Sequence, residues 1–331
     1  MGPLSSPLRL PVIDFSKENL RPGTSSWAST CKEVIQALEE YGCFEAVYDK
    51  VPLELHKTFF NLLEELYDLP LEIKRKNVSD IPYHGYVGNQ PFTPSVYQGM
   101  GINNAATLEG TQDFTNAIWP NGNDDFCKTA LHYSKLIAEL EQMVMKMVFE
   151  SYGVVQSHED HQESITYLFR MMKYRVPEKD EDDVGVPIHT DKCFIAALHQ
   201  NEVSGLELRT KDGQWIVFEP SSPSSFVVNA GDALMLHADA IDFSQAWANG
   251  RLHIPCHRVM MSGKETRYSI GLFASPKAGY LVKTPEKYVD EEHPLPYKPF
   301  DYVEFLKFRQ SQAGYETALK SYHPFNAYCG V

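Results

Sequence analysis

Gly185-Val-Pro-Ile-His189-Thr-Asp191, with its distant closing pieces His257-Arg-Val259 and Arg267-Tyr-Ser269, is the stretch on which the reading of this 331-residue chain turns. An imidazole, a carboxylate two residues on and a second imidazole far along the chain form a donor set suited to ferrous iron. Two His and one carboxylate occupy one face of an octahedral ion and leave the opposite face open. The His-x-Asp spacing fits a strand and its edge, because side chains two apart point the same way. His257 must then return on a neighbouring strand, and the 65 residues between Asp191 and His257 are enough for several strands and turns. From residue 186 onward, short β-rich runs alternate with turn signals at Lys211-Asp-Gly213, Asn229-Ala-Gly-Asp232, Asn249-Gly250 and Ser262-Gly263. That spacing predicts a sandwich or jelly roll.

A second His-x-Asp pair, His237-Ala-Asp239, is a decoy. Only 17 residues separate it from His257, room for about one hairpin and not for half of a closed sandwich. The strand-like run Cys193-Phe-Ile-Ala-Ala-Leu198 follows the first pair and has no counterpart after the second. His199 and His253 read as hydrogen-bonded structural residues. Arg267 and Ser269, alternate residues on one strand, are placed to present a guanidinium and a hydroxyl to one carboxylate, which Arg grips in bidentate fashion.

Together these residues resemble the plant 2-oxoglutarate- and Fe(II)-dependent dioxygenases of specialised and hormone metabolism. The resemblance extends to Leu10-Pro-Val-Ile-Asp-Phe15, Tyr41-Gly-Cys-Phe44 and Pro70-Leu-Glu-Ile-Lys-Arg-Lys76. Through His84-Gly-Tyr-Val-Gly88, Ala246-Trp-Ala-Asn-Gly-Arg-Leu-His253 and Pro299-Phe-Asp-Tyr-Val-Glu-Phe-Leu306 it is similar to the alkenyl-glucosinolate-forming branch. The resemblance implies a mostly β core, a double-stranded β-helix (jelly roll) wrapped by N- and C-terminal α-helices. It also implies that His189, Asp191 and His257 hold Fe(II), and that Arg267, Ser269 and Tyr174 contact 2-oxoglutarate. O₂ would be the second co-substrate and ascorbate an accessory reductant. The implied reaction couples oxidative decarboxylation of 2-oxoglutarate to oxidation, by default hydroxylation, of a small specialised metabolite or hormone. Two rivals stand beside it: an iron oxidase that does not use 2-oxoglutarate, and a non-catalytic ligand-binding relative. Relatives usually pass from Gly-Asp-x-Leu almost directly to Trp-x-Asn-Gly, whereas here 236–245 reads as an extra segment of about ten residues. It falls in a hairpin arm, where a register shift flips faces.

Composition fits this reading. A hydrophobic share of 43% supplies a sizeable core, and a formal charge of −14 argues against nucleic acid or an anionic membrane surface as partner. Six dispersed Cys without a Cys-x-x-Cys, and no secretory or membrane-spanning run, predict a reduced, cytoplasmic protein, expected to be a monomer. The chain reads as one catalytic unit over 1–331: a mainly helical region over 1–160, the jelly-roll core with the iron site over 161–285 and a C-terminal helical region over 286–331. Helices are expected over 27–41, 53–69, 124–152 and 302–320, and a strand over 166–176. Residues 77–113, rich in Gly, Pro, Asn and Tyr, read as a long surface loop, which the resemblance implies helps to cover the substrate pocket. Tyr97, Phe194 and Phe273 are candidates for lining the substrate pocket.

Overall fold

The computed structural model describes residues 8–88, 93–153, 155, 157–234, 252–282, 300–311, 313, 314, 316 and 328. The decoy pair and the 236–245 segment lie outside them, as do 286–299.

The strands are β1 (Val12–Asp14), β2 (Cys43–Val47), β3 (Val87–Gly88), β4 (Tyr97–Asn103), β5 (Ile165–Tyr174), β6 (Val184–His189), β7 (Ile195–Gln200), β8 (Leu206–Arg209), β9 (Trp215–Val217), β10 (Ser225–Ala230), β11 (His257–Met260), β12 (Arg267–Pro276), β13 (Leu281–Val282) and β14 (Phe300–Asp301). Eight form a large sheet in the order β1-β2-β10-β7-β12-β5-β4-β3, and β6-β11-β8-β9 form a smaller one. Every pairing is antiparallel except β1 with β2. Apolar residues of both sheets, among them Tyr97, Met172, Tyr174, Leu206, Leu208, Val227 and Val259, make one buried cluster. This is the expected jelly roll.

Helices α1 (Ser25–Glu40), α2 (Leu53–Asp68) and α5 (Asp124–Ser151) pack against the outer face of the large sheet; between the last two come α3 (Leu71–Lys74) and α4 (Leu108–Ile118). Helix α1 starts where the Thr24 hydroxyl accepts from Trp27 N, one of the donors a helix start leaves unpaired. Its stripe Trp27, Val34 and Leu38 is buried, each aliphatic side chain worth about 1.5–3 kcal/mol. The chain turns out of it through Gly42 at φ +72, the left-handed conformation that favours glycine. Helix α5 is capped by Asn123 and carries Asp124 and Asp125 in its first turn, the charge that a helix N-terminus favours. A short polar helix, α6 (Ser157–Ser164), follows.

Two expectations change. Residues 77–113 are not one long loop: among the described residues, turns there alternate with β3, β4 and the start of α4. Gly99 and Gly101 interrupt the apolar alternation that marks a strand, yet β4 pairs with β5 over seven residues. The second change concerns the boundary at 160. β1 to β4 precede it and belong to the large sheet, so the N-terminal region is part of the β core as well as its helical cover.

Candidate active site

His189 ends β6 and His257 begins β11, and the two pair directly across the smaller sheet. Asp191 sits two residues beyond β6. The loop carrying it is clamped by the turn after β10, where Asp232 N donates to Asp191 O and Gly231 N to Phe194 O. A Cβ at Gly231 would collide with Cys193 O, so only glycine permits this approach. Lys192 Nζ reinforces the clamp, donating to Thr190 Oγ1 and Asp232 Oδ2, both at 2.6 Å.

Asp191 Oδ1 stands 3.9 Å from His189 Nε2 and 3.6 Å from His257 Nε2. These separations exceed a hydrogen bond and suit an ion placed between the groups. One ligand atom from each of the three lies within 4.8 Å of the others. Both imidazoles are oriented alike: Nδ1 of His189 faces Pro187 O at 2.9 Å, and Nδ1 of His257 faces Pro255 O at 3.3 Å. Donation from Nδ1–H to a carbonyl leaves Nε2 with a free lone pair, the tautomer a metal needs. Burial, with His257 alongside, holds the His189 pKa below its usual range, which also favours the neutral ring. Asn229 Nδ2 lies 3.4 Å from Asp191 Oδ2, leaving Oδ1 for the ion. The donor set therefore fits Fe(II).

Residues directly opposite in antiparallel pairs share a face. Asn229 pairs with Ala196, Leu198 with Gly271, Gln200 with Ser269, and Arg267 with Tyr174, which pairs in turn with Tyr97. All therefore lie on the inner face, which Asn229 ties to Asp191 and His257. Arg267 is 2% exposed. Its Nη1 donates to Ser269 Oγ at 3.1 Å and its Nη2 to Gln200 Oε1 at 2.8 Å, while Nε has no partner. Its guanidinium lies 5.0 Å from the centre of the Tyr174 ring. Burial raises the Tyr174 phenol to about 12, so it remains a neutral hydroxyl.

Of the residues expected to line the substrate pocket, Tyr97 is on this face, its ring 5.3 Å from that of Tyr174. Phe273 pairs with Ala196 and is partly exposed there. Phe194 is a correction. It is fully buried, 4.7 Å from the His161 ring of α6, in the cluster shared with the helices. An aromatic just ahead of a strand has no alternation to tell its face. Gln200 and Asn229 escaped the sequence reading, since cross-strand neighbours depend on register. The repeated Pro-x-His of Pro187-Ile-His189 and Pro255-Cys-His257 was legible as a signal for both imidazole orientations.

A jelly roll with such a triad at one end of its interior defines a non-haem iron oxygenase. The 2OG-Fe(II) oxygenase superfamily profile matches residues 165–276, and the profile described as non-haem dioxygenase in morphine synthesis N-terminal matches residues 10–116. The chain belongs to the 2-oxoglutarate- and Fe(II)-dependent dioxygenases. It is 44% identical over 333 residues to the probable 2-oxoglutarate-dependent dioxygenase AOP1 of Arabidopsis thaliana, covering 98% of each chain. Among solved structures it is similar to the rice dioxygenase for auxin oxidation, at 30% identity and a TM-score of 0.71, covering 91% of this chain and 95% of that one. It is also similar to the Arabidopsis thaliana dioxygenase for auxin oxidation 1 in complex with 2-oxoglutarate, at 25% identity and a TM-score of 0.72, covering 86% and 99%.

Proposed function

We propose that His189, Asp191 and His257 hold Fe(II), that Arg267 and Ser269 bind the distal carboxylate of 2-oxoglutarate with Tyr174 packed beside it, and that the product is a hydroxylated small metabolite. The observation that carries this reading is the convergence of two Nε2 atoms on one carboxylate oxygen, with both Nδ1 atoms tied back to proline carbonyls. Fe(II) with 2-oxoglutarate and O₂ supplies the oxidant that breaks a substrate C–H bond, at the cost of 2-oxoglutarate becoming succinate and CO₂.

The chain's own residues do the positioning. Asn229 keeps one carboxylate oxygen of Asp191 turned away from the metal. Gln200 and Ser269 hold the Arg267 fork in place from two sides, so its ordering precedes binding. Tyr97 and Phe273 stand on the inner face on which the substrate would lie. The likeness to the dioxygenases for auxin oxidation supports a small hormone or metabolite as substrate, and free thiols at Cys31, Cys43, Cys127, Cys193 and Cys256 support a reducing, cytoplasmic setting. Among the described residues no helix is long and apolar enough to cross a membrane. One catalytic unit spans 1–331.

The test is anaerobic binding of Fe(II) and 2-oxoglutarate, followed by the weak visible band that chelation produces. The band is expected in the wild type, lost in His257→Ala and kept in His237→Ala. A folded wild-type protein without it overturns the reading.

A further inference from the structure

Among the described residues two arginines are buried, Arg267 at 2% exposure and Arg170 at 7%. Both stand on the inner face, since Arg267 pairs with Tyr174 and Arg170, four residues back along β5, pairs with Gly271 on one side and Gly101 on the other. Neither is in an ion pair with a described acid. Two half-buried arginines differ: Arg175 pairs with Glu181 and Arg258 with Glu207. Arg170 Nη2 donates to Tyr97 Oη at 2.8 Å, while Nη1 is buried with no partner. Leaving a guanidinium dry and without a counter-ion is expensive, and no described side chain neutralises the charge that the fold retains here.

Arg170 is closely packed: Gly101 and Gly271 lie opposite it across both strand pairings, with the His84 carbonyl over Gly101 and the Leu198 and Phe273 side chains over Gly271, and Gly99 makes room for the guanidinium itself. A Cβ at Gly99 would strike both Arg170 Nη2 and Tyr97 Oη. The Tyr97 ring, itself packed on Tyr174, holds one edge of the guanidinium, and Nη1 on the other edge is buried and unpaired among the described residues. Three strand spacings, about 14 Å, separate β5 from β10, where Asn229 meets the iron ligands. The arginine side chain shortens that span to the length of a small metabolite.

We propose that Arg170, held by Tyr97 beside Gly99 with its second edge unpaired, anchors a carboxylate at the far end of the substrate, so that the enzyme oxidises small organic acids. This rests on the iron-site reading above and adds the substrate class to it. Two buried cations on one face then divide the work. Arg267 receives the co-substrate and Arg170 the molecule to be oxidised, with the Tyr97–Tyr174 pair between them.

Calorimetry on protein loaded anaerobically with Fe(II) and 2-oxoglutarate would test this, using phenylacetate, cinnamate and octanoate, each against its own amide. At least one acid is expected to bind tenfold or more tightly than its amide. Arg170→Met should bring that ratio to within twofold while the iron–2-oxoglutarate band stays unchanged. Arg170→Lys should keep part of it, and Tyr97→Phe should weaken acid binding several-fold. The melting temperature of Arg170→Met should equal or exceed that of the wild type, because an unpaired buried charge has been removed. Absence of any acid preference overturns the proposal, as does a preference that survives in Arg170→Met. A large fall in melting temperature also overturns it, since Arg170 would then be a structural strut. Acid preference without a visible band in the wild type would fault the iron reading and leave the anion site standing.

Discussion

Arg267 is gripped on two sides: Ser269 accepts from Nη1 and Gln200 from Nη2. A planar fork held this way meets a carboxylate with little further ordering, which a lysine cannot reproduce. Charge-assisted hydrogen bonds contribute about 1.5–3 kcal/mol each, so Arg267→Ala should raise the 2-oxoglutarate KM by about 100-fold, read as succinate formed against co-substrate concentration. Gln200→Ala, which removes one clamp and no charge, should raise it by about fivefold. An unchanged KM in Arg267→Ala would move the distal carboxylate elsewhere. At this scale the sequence is most informative where spacing carries chemistry, as at His189, Asp191 and His257, whose donor atoms the fold brings together; Arg267 and Ser269 draw their meaning from following His257 by ten residues. Gln200, Asn229 and Arg170 stayed hidden because each acquires its role from the residue opposite it on another strand.

Helices were read closely at the scale of elements: α1, α2 and α5 begin and end within about two residues of their expected bounds, because periodic apolar stripes and caps are local signals. β4 is hidden for the opposite reason: Gly99 admits the Tyr97 hydroxyl and Arg170, and Gly101 the His84 carbonyl, so its glycines serve tertiary contacts and not local propensity. Helix α5 also carries a polar group against the sheet. Glu141 is 1% exposed, and its Oε2 accepts from Tyr167 Oη of β5 at 2.7 Å. Burial outweighs that bond and pushes its pKa up to about 7. A carboxyl with a raised folded pKa is fully compatible with the fold below its unfolded pKa of about 4.5 and costs stability as pH rises through about 7. Glu141→Gln should therefore be close to neutral at acidic pH and stabilising by about 3 kcal/mol above pH 8. Urea denaturation at the two pH values measures this. Equal stability differences at both would mean that Glu141 is ionised inside the fold and paired there.

Charge separates the whole molecule from its interior. The chain carries a formal charge of −14, yet the inner face presents two buried arginines without described acids. A dianionic co-substrate thus approaches against a repulsive outer field and is captured by a local attractive one. Salt acts unequally on the two. Solvent-exposed charges are screened over about 10 Å at 0.1 M ionic strength, whereas a guanidinium enclosed between sheets is screened much less. Raising ionic strength from about 0.01 M to about 0.15 M should therefore speed 2-oxoglutarate association several-fold while its dissociation hardly changes. Stopped-flow mixing of iron-loaded protein with 2-oxoglutarate, followed in the visible band, separates the two rates. Association that slows with salt would mean that the basic residues outside the site form an attractive funnel strong enough to reverse the sign of the molecule's net charge at its entrance.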